Sequence, residues 1–217
     1  MIEGLGWLRE AAFLAFLAVI LSYLLPSVFL SPYRSLEQLP RPPFIDIVMI
    51  IIGLILAIAS WIFEILGWSS MCRAGMRKFY CFTKYMVLLG PIMGFLFAIV
   101  GVFQTALTGK ISFFLLGPLV IVAVAVIAGV ASLDVGLLTN TRILTAGALL
   151  YLISVLILVV LYLISILLRV PALLPSPEFT GFGLAAGILL ISALLLMAIG
   201  FHLARMRAAR ALSSGMQ

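Results

Sequence analysis

The chain is predicted to be all-α: one integral membrane bundle of six transmembrane helices with short loops, both termini cytoplasmic. Three observations predict it. The 217 residues are 65% hydrophobic and only 9% charged, with a mean hydropathy of +1.37; a soluble domain carries about 45–50% apolar and about 25% charged residues. A window of about 19 residues, the length that crosses a bilayer core, finds spans at about 10–31, 45–71, 85–108, 112–133, 142–168 and 181–204. Within them small and polar residues recur at helical spacing, not in the two-residue alternation of membrane β-strands.

Taken in order, the first span has the stripe Ala11, Ala15, Ala18 and Ser22. Met1 to Glu10 holds Arg9, Glu3 and Glu10, and no A-x-A site follows the apolar run, so it reads as a span and not as a secretory signal. In the second, Asp46, Gly53, Ala57, Ser60, Glu64 and Gly67 fall on one face, with Ile, Leu, Phe and Trp elsewhere. In lipid, small residues mark where helix backbones approach, and an ionisable residue faces protein or water. The third carries Gly90, Gly94, Ala98, Gly101, Thr105 and Thr108, and Gly90-Pro91 predicts a bend near its inner end. Spans two and three, joined by a short basic loop, are expected to form a tight antiparallel pair. The fourth tolerates Pro118 at its start and has Ala125, Gly129, Ser132 and Gly136; Asn140 or Thr141 is expected to cap the fifth. The sixth has Gly183 and Gly187.

Lys and Arg orient the bundle. Arg9, Arg73, Arg77, Lys78, Lys84, Arg142, Arg205, Arg207 and Arg210 fall on one side, against Arg34, Arg41, Lys110 and Arg169 on the other. That nine-to-four excess predicts that the first side is cytoplasmic. The outer connections are proline-rich (Pro32, Pro40, Pro42 and Pro43; Pro171, Pro175 and Pro177), which makes them stiff crossings. The net charge of +6 and pI of about 9.8 belong to helix ends and loops, so the expected partner is anionic lipid, with no nucleic acid. Cys72 and Cys81 read as two unpaired thiols near an interface. They make no metal site, since structural zinc needs four ligands and His202 is the single histidine.

Glu64 is the first site candidate. It lies about two-thirds along the second span, where a charge costs about 2.5–3.5 kcal/mol on insertion scales, so it needs a partner or a proton. By depth, His202, Arg142 and Arg205 are the groups expected to reach it. His202 alone reads more simply as a terminal residue among headgroups, and Asp46 as a carboxylate at a helix N-terminus. Asp134 and Asn140 carry no functional reading. Enzyme motifs are absent: there is no H-E-x-x-H, G-x-S-x-G or phosphate loop, so neither catalysis nor a cofactor is expected.

The basic-aromatic connection GWSSMCRAGMRKFYCFTKY, with short loops and few amides, resembles that of uncharacterised multi-pass membrane proteins of hyperthermophilic archaea. The resemblance implies a thermophile's membrane protein and transfers no site. Two functions are expected to compete. One is a structural or accessory subunit packing against other membrane proteins or itself, motivated by the small-residue faces Gly53, Ala57, Ser60, Gly90, Gly94, Ala98 and Gly101. The other is a small transporter or channel for a solute, proton or cation, using Glu64. A dry, packed surround at Glu64 is the expectation that favours the first.

Overall fold

The computed structural model describes residues 1–21, 44–108, 116–167 and 177–214. Among them the chain is helical, with no strand: α1 (Ile2–Val19), α2 (Phe44–Arg73), α3 (Lys78–Thr108), α4 (Leu116–Leu138), α5 (Arg142–Leu167) and α6 (Pro177–Ser214). Neighbours in sequence are neighbours in space, and α1 closes the ring against α6.

Among the described residues five helical segments are long and apolar enough to cross a membrane, not six: Ile51–Arg73, Lys78–Gln104, Leu116–Leu138, Arg142–Leu161 and Ala185–Ser214. The chain is thus a multi-pass helical membrane protein by length and composition. The first predicted span, about 10–31, is described only as far as residue 21 and is not among the five. Its described helix lies at 2–19, earlier than expected, and carries Glu3, Arg9 and Glu10; residues 22–31 lie outside the described ones. Also outside are the proline-rich stretches 32–43 and 171–175, Arg34, Arg41, Lys110 and Arg169, and the side chains of Asp46, Thr105 and Thr108 and the surroundings of Gly183.

Helix ends follow local chemistry. Gly75 closes α2 with φ +68°, in the left-handed region where glycine carries no Cβ penalty. Asn140, expected as a possible cap of the fifth span, instead terminates α4 at φ +50°. The Thr141 N–H reaches Gly136 O at 2.8 Å and the Asn140 N–H reaches Leu137 O at 3.1 Å, the paired bonds of a Schellman ending. Thr141, fully buried, is left to lead into α5.

The expected tight α2–α3 pair is not the main contact of either helix. α2 packs most extensively on α1, and α3 on α4. The α3 stripe is buried at Gly90, Gly94 and Gly101 and half-buried at Ala98, and what it meets is α4. A Cβ on Gly94 would lie 3.1 Å from Gly117 O, and one on Gly117 would lie 2.7 Å from Gly94 O; two glycines let the backbones touch. On α2, Gly53 and Ser60 are buried but Ala57 is exposed. At about 100° per residue, Ala57 and Gly67 occupy opposite edges of the stripe, and α1 takes the Gly67 edge, where a Cβ would meet Leu8 at 2.6 Å.

One end gathers the basic residues. Arg9 faces His202 (3.2 Å), Arg77 pairs with Asp134 (2.7 Å), and Arg207 donates to the Thr139 and Asn140 carbonyls that close α4. The N-terminus, the α2–α3 and α4–α5 connections and the C-terminal helix end therefore lie together. Cys72 and Cys81 at this end are joined in a disulfide between the last turn of α2 and the first turn of α3. The expectation of unpaired thiols fails because the four-residue turn between these helices brings the two side chains face to face.

Candidate functional site

Glu64 sits on the inward stripe of α2 with Ser60 one turn before it and Trp68 one turn after. Ser60 is buried and donates to Ala11 O of α1 at 2.9 Å, pinning α2 to α1. Trp68 is fully buried, and its indole N–H donates to Glu64 Oε1 at 3.4 Å, a long bond. The other side of this indole is fixed from α3, where Tyr80 stacks on it with ring centroids 5.8 Å apart. Tyr80 is held in turn, its hydroxyl donating to Asp134 Oδ2 at 2.8 Å.

The surround of Glu64 is not closely packed. The carboxyl lines a cavity of about 90 Å³ inside the ring, walled by α1, α2, α4, α5 and α6. Its volume comes from small residues at facing positions: Ala11, Ala12 and Ala15 on α1 and Ala128 and Ser132 on α4. One water needs about 10–15 Å³, so the space is large enough for several. The polar groups on its wall are Glu64, Ser60, Ser132, Tyr151 and the Trp68 indole, and Tyr151 lies within electrostatic reach of Glu64.

The groups expected to meet Glu64 are elsewhere. His202 is exposed on α6 and faces Arg9, which also pairs with Glu10. Arg142 is exposed, and the Arg205 guanidinium lies over Gly6. An arginine at a helix end extends toward the headgroups, away from mid-span. Trp68 was signalled by its i+4 spacing from Glu64, and Ser132 by the α4 stripe. Tyr151 had no signal, because α5 reads as nearly uniformly apolar. Asp134, given no reading from sequence, ties the α2–α3 turn to α4 through Arg77 and Tyr80.

Among the described residues no group of three or more His, Cys, Asp or Glu is placed to hold a metal ion. The chain matches no known family, no curated protein and no solved structure.

Proposed function

We propose that this chain is a small membrane transporter for a proton or a small cation, with Glu64 as its binding carboxyl. The observation that carries the reading is the cavity shared by Glu64, Ser132 and Tyr151, a few polar groups on a mostly apolar wall. An ionisable side chain within a span is costly in lipid, and one turned to an interior cavity is what an ion or proton path requires. The test is flux into proteoliposomes under a pH gradient. The wild type should show a flux that Glu64→Gln, nearly isosteric and uncharged, loses. A wild type no leakier than empty liposomes, or a Gln variant with full flux, overturns the reading.

The same proposal places the basic end, with both termini, in the cytoplasm. The native cysteines are bonded to each other, so single cysteines introduced at Ser35 and Ser213 report cleanly. In right-side-out cells an impermeant thiol reagent should label position 35 and spare 213.

A second reading, an accessory subunit within a larger membrane assembly, keeps one observation in its favour. Ala57 is exposed between Leu54 (60% exposed) and Ile58 (49%), a notch on the outer face of α2 where another helix can approach. The stripes on α3 and α4 argue less for it, since they pack on each other. A stoichiometric membrane partner copurifying in mild detergent and lost in Ala57→Leu would support it.

A further inference from the structure

Resting on the reading of Glu64 as a transport carboxyl, we infer that the central cavity binds a small primary alkylammonium ion. Its ammonium would lie against Glu64, Ser60 and Ser132, and its tail against the apolar wall. The argument is an inventory of donors and acceptors. Ser60 commits its hydroxyl proton to Ala11 O (2.9 Å) and Ser132 commits its own to Ala128 O (2.8 Å). Each hydroxyl oxygen therefore has only lone pairs left to offer a guest. An ionised Glu64 is likewise an acceptor only. The Trp68 N–H is committed to Glu64 (3.4 Å) and the Tyr151 hydroxyl can accept as well as donate, so the cavity is richest in acceptors and suits a guest that donates several hydrogen bonds and carries positive charge.

Chemistry narrows the class. Hard divalent ions take about six or more oxygen ligands, and among the described residues no cluster of acidic or soft ligands exists to supply them. An anion meets a carboxyl in a low-dielectric interior. A quaternary ammonium has the charge but no N–H, and leaves these acceptors unmatched. A primary ammonium has three donors. The rest of the wall includes Ala15, Ala128, Leu194, Met197 and Phe201, which suits a short alkyl chain. The volume of about 90 Å³ limits that chain to a few carbons, at about 10–15 Å³ for each water-sized site.

The experiment uses the full chain in lipid nanodiscs and titrates propylammonium, tetramethylammonium and sodium chloride, reading heat of binding. Propylammonium should bind more tightly than tetramethylammonium by about tenfold or more, the value of a charge-assisted hydrogen bond. Glu64→Gln should abolish the binding. Ala15→Leu, which keeps the carboxyl and fills the tail region, should weaken propylammonium binding by about tenfold. No binding by the wild type, equal affinity for both ammonium ions, or binding retained by Glu64→Gln overturns the inference. Proton flux without amine binding sinks the ligand assignment and leaves the transport reading standing. Amine binding that needs Glu64, in a protein without any flux, supports the ligand assignment and sinks the transport reading.

Discussion

The indole N–H of Trp61 on α2 donates to the backbone carbonyl of Val87 on α3, at 2.6 Å. Val87 is four residues before Pro91, which has no N–H to return to that carbonyl. Proline inside a membrane helix strands an acceptor in a medium without water, and a neighbouring side chain must satisfy it. Trp61 does so. α3 accordingly runs unbroken from Lys78 to Thr108 through Pro91, and the indole is a hydrogen-bonded tie across the otherwise modest α2–α3 contact.

Replacing Trp61 by Phe keeps an aromatic ring and removes the donor. Thermal unfolding in detergent should show a loss of about 1 kcal/mol, the scale of interhelical hydrogen bonds in membranes. In a Pro91→Ala background an intrahelical N–H is available to Val87 O, and the same substitution should cost less. Equal costs in both backgrounds would mean that the ring's packing, not its N–H, is what matters.

Gly94→Leu should be far more damaging than Leu96→Ala. A Cβ at 94 already meets Ile121 Cγ1 at 2.8 Å and Gly117 O at 3.1 Å, and forcing a larger side chain in costs about 1–3 kcal/mol. Leu96 is 50% exposed on the outer face of α3, where trimming a side chain moves stability by about 0.5 kcal/mol or less. Melting curves and detergent-extracted yield of the two variants decide it, and equal effects would place the Gly94 face against lipid.

The helices from α2 to α6 were legible because lipid imposes a length and an apolar composition that the sequence states openly. The α3 stripe was legible as a packing face, but its partner was not, since small residues permit close approach without naming the helix that approaches. Short loops suggested α2 for α3, and the pair of glycines at 94 and 117 settled on α4. Glu64 stood out as a buried charge. The hollow beside it did not, because it is made of absences: alanine and serine positions on separate helices that become a cavity only when the ring closes. The Cys72–Cys81 bond is not legible from spacing alone. Nine residues look distant along a helix, yet a turn between two helices returns the chain to its starting level.

Asp134 offers a check on how the α2–α3 turn is anchored. It accepts from Tyr80 Oη at 2.8 Å and from Arg77 at 2.7 Å. Tyr80 is fully buried, whereas the Arg77 side chain is 51% exposed. Asp134→Ala leaves the buried hydroxyl without its acceptor and should cost about 1–3 kcal/mol. Arg77→Ala breaks a solvent-facing ion pair and should cost about 1 kcal/mol or less. Chemical unfolding of both variants tests the ranking, and a larger loss from Arg77→Ala would show that the ion pair dominates.

The Cys72–Cys81 bond bears on both stability and sidedness. It closes a short loop at the basic end of the bundle, and chain-entropy arguments give a bridge of this separation about 2–3 kcal/mol at most. Because α2 and α3 stay helical in lipid after unfolding, the effect should fall below that ceiling. Reduction, or Cys72→Ser with Cys81→Ser, should lower the melting temperature, and added reductant should then change nothing in the double variant. Disulfides persist in oxidising compartments, and inside cells mainly in hyperthermophiles. If the basic end is cytoplasmic, mass spectrometry after rapid thiol trapping in whole cells of such a host should recover residues 72 and 81 as one crosslinked species. A crosslinked species together with labelling of a cysteine at 213 from outside would reverse the orientation. Trapped free thiols at both positions would remove the bond from the protein as it exists in the cell.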